Sequence, residues 1–236
     1  MEKIILSPPF SNICPNIKGC IRIVGTYTLE RRRGMYRVLT TLKKTENGWI
    51  NSVGLRNPGI ERYNKKNAII SIAMQDISEW PDFLNIIKQK KQKHNILGIE
   101  FNVSCPNHNI SNINSKIVKE AKSELKYVII KIPHKSPVYL IDEFCNLNSD
   151  IIHVSNSKKT NIGALSGKSL INQNISDIVY IKEKFGNNIK IIAGGGIYSC
   201  EDLMKYHDAG ADYFSLSTCL INPFRTYNII KQSRYL

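Results

Sequence analysis

The sequence has no Cys-x-x-Cys pair, no histidine pair beside a cysteine, and only five histidines in 236 residues. Those gaps exclude the usual zinc spacings. Cys14, Cys20, Cys105, Cys145, Cys200 and Cys219 are scattered, so they read as free thiols of a reducing compartment rather than a disulfide framework. No apolar run approaches the length that spans a bilayer. Residues 1–6 meet Ser7-Pro8-Pro9 too soon to form the apolar region of a signal peptide. A soluble, cytoplasmic protein with no membrane partner is expected. Acidic residues are also scarce, 19 against 33 Lys and Arg, for a net charge of +14. A basic surface attracts polyanions. Lys, Asn and Ile are over-used along the whole chain, however, which a coding bias would produce. The densest basic runs fall in a loop (residues 30–33) and at a helix end (residues 88–93). Charge alone therefore does not argue for a nucleic-acid partner.

The chain has 236 residues, near the lower limit of roughly 200–250 for a complete (β/α)8 barrel, and reads as one domain over residues 1–236. From residue 68 onward, short apolar runs alternate with amphipathic ones. Runs at residues 68–74, 97–103, 127–132, 150–154, 190–193 and 212–216 are rich in β-branched residues, as strands buried on both faces are. Helices are expected near residues 80–91, 115–124, 138–144, 176–184, 200–207 and 223–232. Strand–helix alternation at this spacing implies parallel pairing, and six units suit a barrel better than an open sheet. Two further strands are expected at residues 7–12 and 21–28. Too few residues join them for a crossover helix. Residues 48–51 look like the end of a hairpin.

In such a barrel, reactive groups come from the C-terminal ends of strands. Those ends carry Asn102-Val103-Ser104-Cys105-Pro106-Asn107, then Lys131, then Ser155-Asn156-Ser157, then Gly194-Gly195-Gly196, then Ser217-Thr218. A loop at residues 51–59 adds Asn51 and Gly54-Leu55-Arg56-Asn57-Pro58-Gly59. Glycine-rich turns let backbone N–H groups approach a phosphate, although a tight strand-to-helix turn would use the same residues. Lys131 interrupts an apolar strand, where an ammonium needs an anionic partner or a route to solvent. Cys105 is either a buried small hydrophobe or a thiol tuned to act as a general base. Asn51, Asn102, Asn107 and Asn156 offer donors and acceptors without charge, which suits a ring with amide edges.

Together with Gly163-Ala164-Leu165-Ser166-Gly167 and Ala193-Gly194-Gly195-Gly196-Ile197, these motifs resemble, in order and spacing, those of dihydroorotate dehydrogenases. The likeness runs from about Gly25 to the C-terminus. Cysteine within Asn-x-Ser-Cys-Pro-Asn is similar to class 1, the soluble enzymes. The resemblance implies FMN as prosthetic group, oxidation of dihydroorotate to orotate, and a homodimer. Cys105 would take the proton from C5 while hydride leaves C6 for the flavin. Substrate would be held by Asn51, Gly54, Leu55, Asn102, Asn107, Asn156 and Ser157. The cofactor would be held by Thr26, Asn102, Lys131, Gly167, Gly195, Gly196, Ser217 and Thr218. The electron acceptor is left open between fumarate and the NAD chemistry of a partner subunit.

Three departures stand out. Gly25 occupies the position of a family lysine that touches flavin and substrate, so restoring lysine there is expected to speed turnover. The first crossover helix is missing. The family's Gly-Asn-Pro-x-Pro-Arg stretch is reduced to Gly34-Met35-Tyr36-Arg37; within the cofactor turns, Ser217 stands where the family usually has glycine. Two other readings share the motifs: a flavin reductase of another pyrimidine, such as a tRNA dihydrouridine synthase relative, and a flavin-binding relative that has lost catalysis.

Overall fold

A computed structural model describes residues 1–34, 40–46, 48–52, 54–103, 113–155 and 157–236. Eight parallel strands close into a (β/α)8-type barrel. In chain order they are β1 (Ile4–Leu6), β2 (Cys20–Tyr27), then β5 (Ala68–Ile72), β6 (Ile96–Asn102), β7 (Tyr127–Ile132), β8 (Ile151–Val154), β11 (Lys190–Gly194) and β12 (Tyr213–Leu216). β12 pairs with β1 to complete the ring. Four short strands form a separate antiparallel sheet: β3 (Lys43–Thr45), β4 (Gly48–Asn51), β9 (Lys158–Thr160) and β10 (Gly163–Ser166). The hairpin expected at residues 48–51 is β3–β4, extended by β10 and β9.

The outer wall is helical: α1 (Trp80–His94), α2 (Ser115–Glu124), α3 (Val138–Cys145), α4 (Ile171–Phe185), α5 (Cys200–Asp208) and α6 (Pro223–Gln232). Side-chain caps start three of them. Asn114, Ser199 and Asn222 accept from the N–H groups of Ile117, Asp202 and Arg225, satisfying donors that a helix start leaves open. The outward faces of the strands pack on these helices in one large apolar cluster.

Two expectations need correction. The first strand is Ile4–Leu6, and residues 10–12 are a 3-10 turn. Pro8 and Pro9 lack the N–H that a ladder needs, so the strand ends before them. Helix α4 begins at Ile171 rather than near Ser176, because Asn174 and Asp177 lie on its buried face and mask the apolar period. No α-helix joins β1 to β2, as expected; the 3-10 turn at residues 10–12 is the only helical piece between them.

Inside the barrel, six isoleucines form one layer: Ile5, Ile23, Ile69, Ile129, Ile151 and Ile192. Side chains on a strand repeat on one face every second residue. The next inward positions toward the C-terminal rim are therefore Ser7, Gly25, Ser71, Lys131, His153 and Gly194. One step along each of these six strands, the interior changes from aliphatic to polar or open. That step places the site.

Candidate functional site

A cavity of about 350 Å³ opens above this polar layer at the C-terminal ends of the strands, within the range of small-molecule sites. Its floor comes from the barrel. Asn102, Lys131 and His153 lie side by side in register on β6, β7 and β8, and the first two line the cavity with Thr26 of β2. One wall comes from the small sheet, where Asn51 faces Ala164 across β4 and β10. Gly54, Leu55 and Arg56 extend that wall, and Ser157, Gly195, Gly196, Ser217 and Thr218 complete the opposite side.

Buried polar side chains fix the loops. Asn57 donates to the Leu55 carbonyl (2.7 Å) and to the Thr28 hydroxyl (2.9 Å). It also accepts from the N–H groups of Thr28 (3.2 Å) and Gly59 (2.8 Å). One buried amide thus ties the loop carrying Gly54 and Leu55 to the end of β2. On the far side, Tyr206 directs its hydroxyl at the carbonyls of Gly194 (2.8 Å) and Gly195 (2.7 Å), and Asn174 donates to the Gly194 carbonyl (2.8 Å). Burial pushes the Tyr206 phenol well above its ordinary value, so it stays a donor. Tyr206→Phe should cost about 1–2 kcal/mol of stability, because those carbonyls lose a buried partner. A urea unfolding midpoint unchanged from wild type would show that the clamp does not matter.

The glycine turn is closely packed. A Cβ on Gly196 would meet the Gly167 carbonyl oxygen at 2.6 Å, and one on Gly195 would meet Asn174 at 3.1 Å. Both residues have positive φ, +87° and +81°, which favours glycine. They are glycine because of the turn and the packed loop beneath it, not because a side chain would project at a ligand. Gly167 lies in that underlying loop rather than among the cavity-lining residues. Ser217 uses its hydroxyl to hold the Pro8 carbonyl (2.8 Å), and Thr218 pairs with the Tyr198 hydroxyl.

Thr26, Asn51, Gly54, Leu55, Asn102, Lys131, Ser157, Gly195, Gly196, Ser217 and Thr218 thus meet at one cavity. Cys105, Asn107 and Asn156 lie outside the described residues. The cavity holds three cationic side chains, Arg32, Arg56 and Lys131, and no carboxylate among its described lining residues. Among the described residues, no acidic side chain pairs with Arg32 or Arg56. Such a site selects anions. No cluster able to hold a metal occurs among the described residues, and no described helix is long and apolar enough to cross a membrane.

Sequence reasoning missed Glu100, His153 and Ser71, which are fully buried beneath the floor. Their signal was present: each is a polar residue inside a β-branched run. Burial alone would raise the Glu100 carboxyl, but the Lys131 charge and hydrogen bonds from His153 and Ser71 outweigh it and hold it down to about 2. Burial, reinforced by Lys131, keeps the His153 imidazole below its ordinary value despite the Glu100 charge. Contact at ion-pair distance therefore joins a carboxylate to a neutral ring.

Comparisons with known proteins agree with this arrangement. The dihydroorotate dehydrogenase family profile matches residues 140–233. A protein of Aquifex aeolicus named putative dihydroorotate dehydrogenase A (fumarate) is 26% identical over 209 residues, spanning 74% of this chain and 68% of that one. The dihydroorotate dehydrogenase B (NAD(+)) catalytic subunit of Malacoplasma penetrans is 27% identical over 227 residues, spanning 80% and 72%. Among solved structures, ligand-free DHODH from Eimeria tenella shares the fold, with a TM-score of 0.68 at 17% identity over 89% of this chain and 76% of that one.

Proposed function

The chain belongs to the dihydroorotate dehydrogenase family, and from that premise we propose that it oxidises dihydroorotate to orotate as an FMN-dependent, class 1 enzyme of pyrimidine biosynthesis. The observation that carries this reading is the cavity in which Lys131, the carboxamides of Asn51 and Asn102 and the glycine turn converge, with no carboxylate among the described lining residues. Both ligands are anions, one a phosphate monoester and the other a carboxylate.

The donor set fits FMN. The clamped turn at Gly195 and Gly196, with Ser217 and Thr218, offers backbone N–H groups to a phosphate. Lys131 offers a cation to the electron-rich edge of a flavin ring, at the barrel floor where charge is least screened. FMN, when bound, supplies the acceptor for the hydride that leaves C6 of dihydroorotate. The protein's own part is to hold and deprotonate. Asn51 and Asn102 hold the amide edges of the pyrimidine, with Asn107 and Asn156 assigned the same task by motif. Cys105, as thiolate, takes the C5 proton, and the C5–C6 double bond forms as both hydrogens depart. Arg56, beside Gly54 and Leu55, supplies charge on the substrate side of the cavity.

Anaerobic mixing of the purified yellow protein with dihydroorotate tests the whole reading. Loss of the oxidised-flavin absorbance within seconds is expected. Flavin that stays oxidised through long incubation would point to a different substrate.

A further inference from the structure

Beneath the cavity floor, Glu100 and His153 are 1% and 0% exposed, with carboxylate oxygen and imidazole Nδ1 at 2.6 Å. The other oxygen of Glu100 accepts from the Ser71 hydroxyl at 2.7 Å. Ser71 meets the Thr26 hydroxyl at 3.1 Å, and Asn102 Nδ2 meets Thr26 at 3.0 Å. A continuous hydrogen-bonded chain therefore runs from a fully buried carboxylate to a carboxamide that lines the cavity.

Donor counting gives this chain one direction. An ionised carboxylate only accepts, so Ser71 must donate to Glu100. A hydroxyl has one hydrogen. With Ser71's spent, Thr26 must donate to Ser71. With Thr26's spent in turn, the neighbouring Asn102 atom must be a donor, which is Nδ2. An amide's oxygen and nitrogen are otherwise assigned only from their surroundings; here a charge three groups away settles the choice. His153 completes the device. Its Nδ1–H occupies the second oxygen, and its buried Nε2 has no partner among the described residues, as suits a neutral ring. Lys131, adjacent in register to both Asn102 and His153, balances the carboxylate charge.

We propose that Glu100 is a positioning residue: it polarises the chain Asn102→Thr26→Ser71→Glu100 and so presents the Asn102 oxygen, on the side away from Thr26, to a ring N–H of the bound pyrimidine. This rests on the cavity's being a pyrimidine site. It deepens that reading by stating which hydrogen-bonding sense Asn102 imposes. A ring with an acceptor at that place is rejected, since a buried acceptor facing an acceptor loses both partners.

The test uses the protein as purified, with Ser71→Ala and Glu100→Gln. Ser71→Ala removes one oxygen while leaving Glu100, His153 and Lys131 in place, so it carries the test even if Glu100→Gln fails to fold. The first readout needs no substrate: the Asn102 side-chain amide resonances, identified by their loss in Asn102→Ala. In Ser71→Ala they should shift, and their exchange with solvent should quicken at least tenfold. The second readout is orotate binding, followed by perturbation of the flavin absorbance. Each single variant should weaken it about tenfold. In an Asn102→Ala background each should change it less than twofold, because residues acting through one another are not additive. Unmoved Asn102 resonances in Ser71→Ala, or losses that add in full on Asn102→Ala, would overturn the proposal and leave Glu100 as the counter-ion of Lys131. If wild-type protein fails to bind orotate, the pyrimidine reading falls, while the resonances still decide whether the chain holds Asn102.

Discussion

Cys105→Ala should leave the protein yellow and slow reduction of its flavin by dihydroorotate about 10²-fold or more, the usual size of a lost general base. Cys105 follows the end of β6 (Asn102) by three residues in sequence, and a barrel draws its reactive groups from the segments that follow strand C-termini. No other thiol is placed to substitute. Cys14, Cys20, Cys145, Cys200 and Cys219 are absent from the cavity lining, and burial pushes Cys20, Cys145 and Cys219 up to about 12. Thiols held that high stay protonated at neutral pH. Stopped-flow absorbance of Cys105→Ala and of Cys200→Ala separates the two cases. The first should be slow with an intact flavin spectrum, and the second should match wild type. A Cys105→Ala variant whose flavin is reduced at the wild-type rate would remove the residue from the chemistry. Cys105→Ser should keep part of the activity and shift its optimum to higher pH, because a hydroxyl is a far weaker acid than a thiol.

The barrel was legible because its strands are buried on both faces. Runs such as Ile69-Ile70 and Ile191-Ile192 need no alternation to declare themselves. Edges were less legible. Two prolines moved the first strand forward to Ile4–Leu6, and buried Asn174 and Asp177 hid the first turn of α4. At the site, motifs pointed to the rim residues, and the fold brings the described candidates other than Gly167 to one cavity. What motifs could not convey is the support beneath them. Asn57 reaches Thr28 across 29 residues of sequence, Asn174 reaches Gly194 across 20 and Tyr206 reaches Gly194 across 12. Glu100 and His153 are 53 residues apart and meet only because the barrel places β6 and β8 around one axis. The pattern that drew attention to Lys131, a lone polar residue inside an apolar strand and two positions after an inward isoleucine, would have found Ser71 and His153 as well.

Gly25→Lys should impair the protein, reversing the expectation that a lysine there would restore activity. The backbone at Gly25 has φ +128°, and a Cβ built on it would stand 2.4 Å from the Ser71 carbonyl oxygen and 2.9 Å from the Tyr27 nitrogen. Both are backbone atoms of β2 and its neighbour β5, so neither can swing aside as a flexible side chain would. Asn12 further pins the residue, accepting from its N–H at 2.8 Å and donating to its carbonyl at 2.6 Å. The segment that replaces the missing crossover helix thus occupies the polar edge of Gly25. Backbone strain of about 1–3 kcal/mol and overpacking of similar size together predict a loss of roughly 2–5 kcal/mol. Gly25→Ala separates the causes, since it adds the same Cβ without charge or length. It should show most of the loss in a urea unfolding midpoint. Ser71 also feeds the chain to Asn102, so any backbone shift that admits the new side chain should weaken orotate binding as well. A folded Gly25→Lys protein with wild-type stability and several-fold faster flavin reduction would show that β2 yields, and that the cavity has room for the lysine. Loss in both variants leaves Lys131, Arg32 and Arg56 as the cations that meet the two anions.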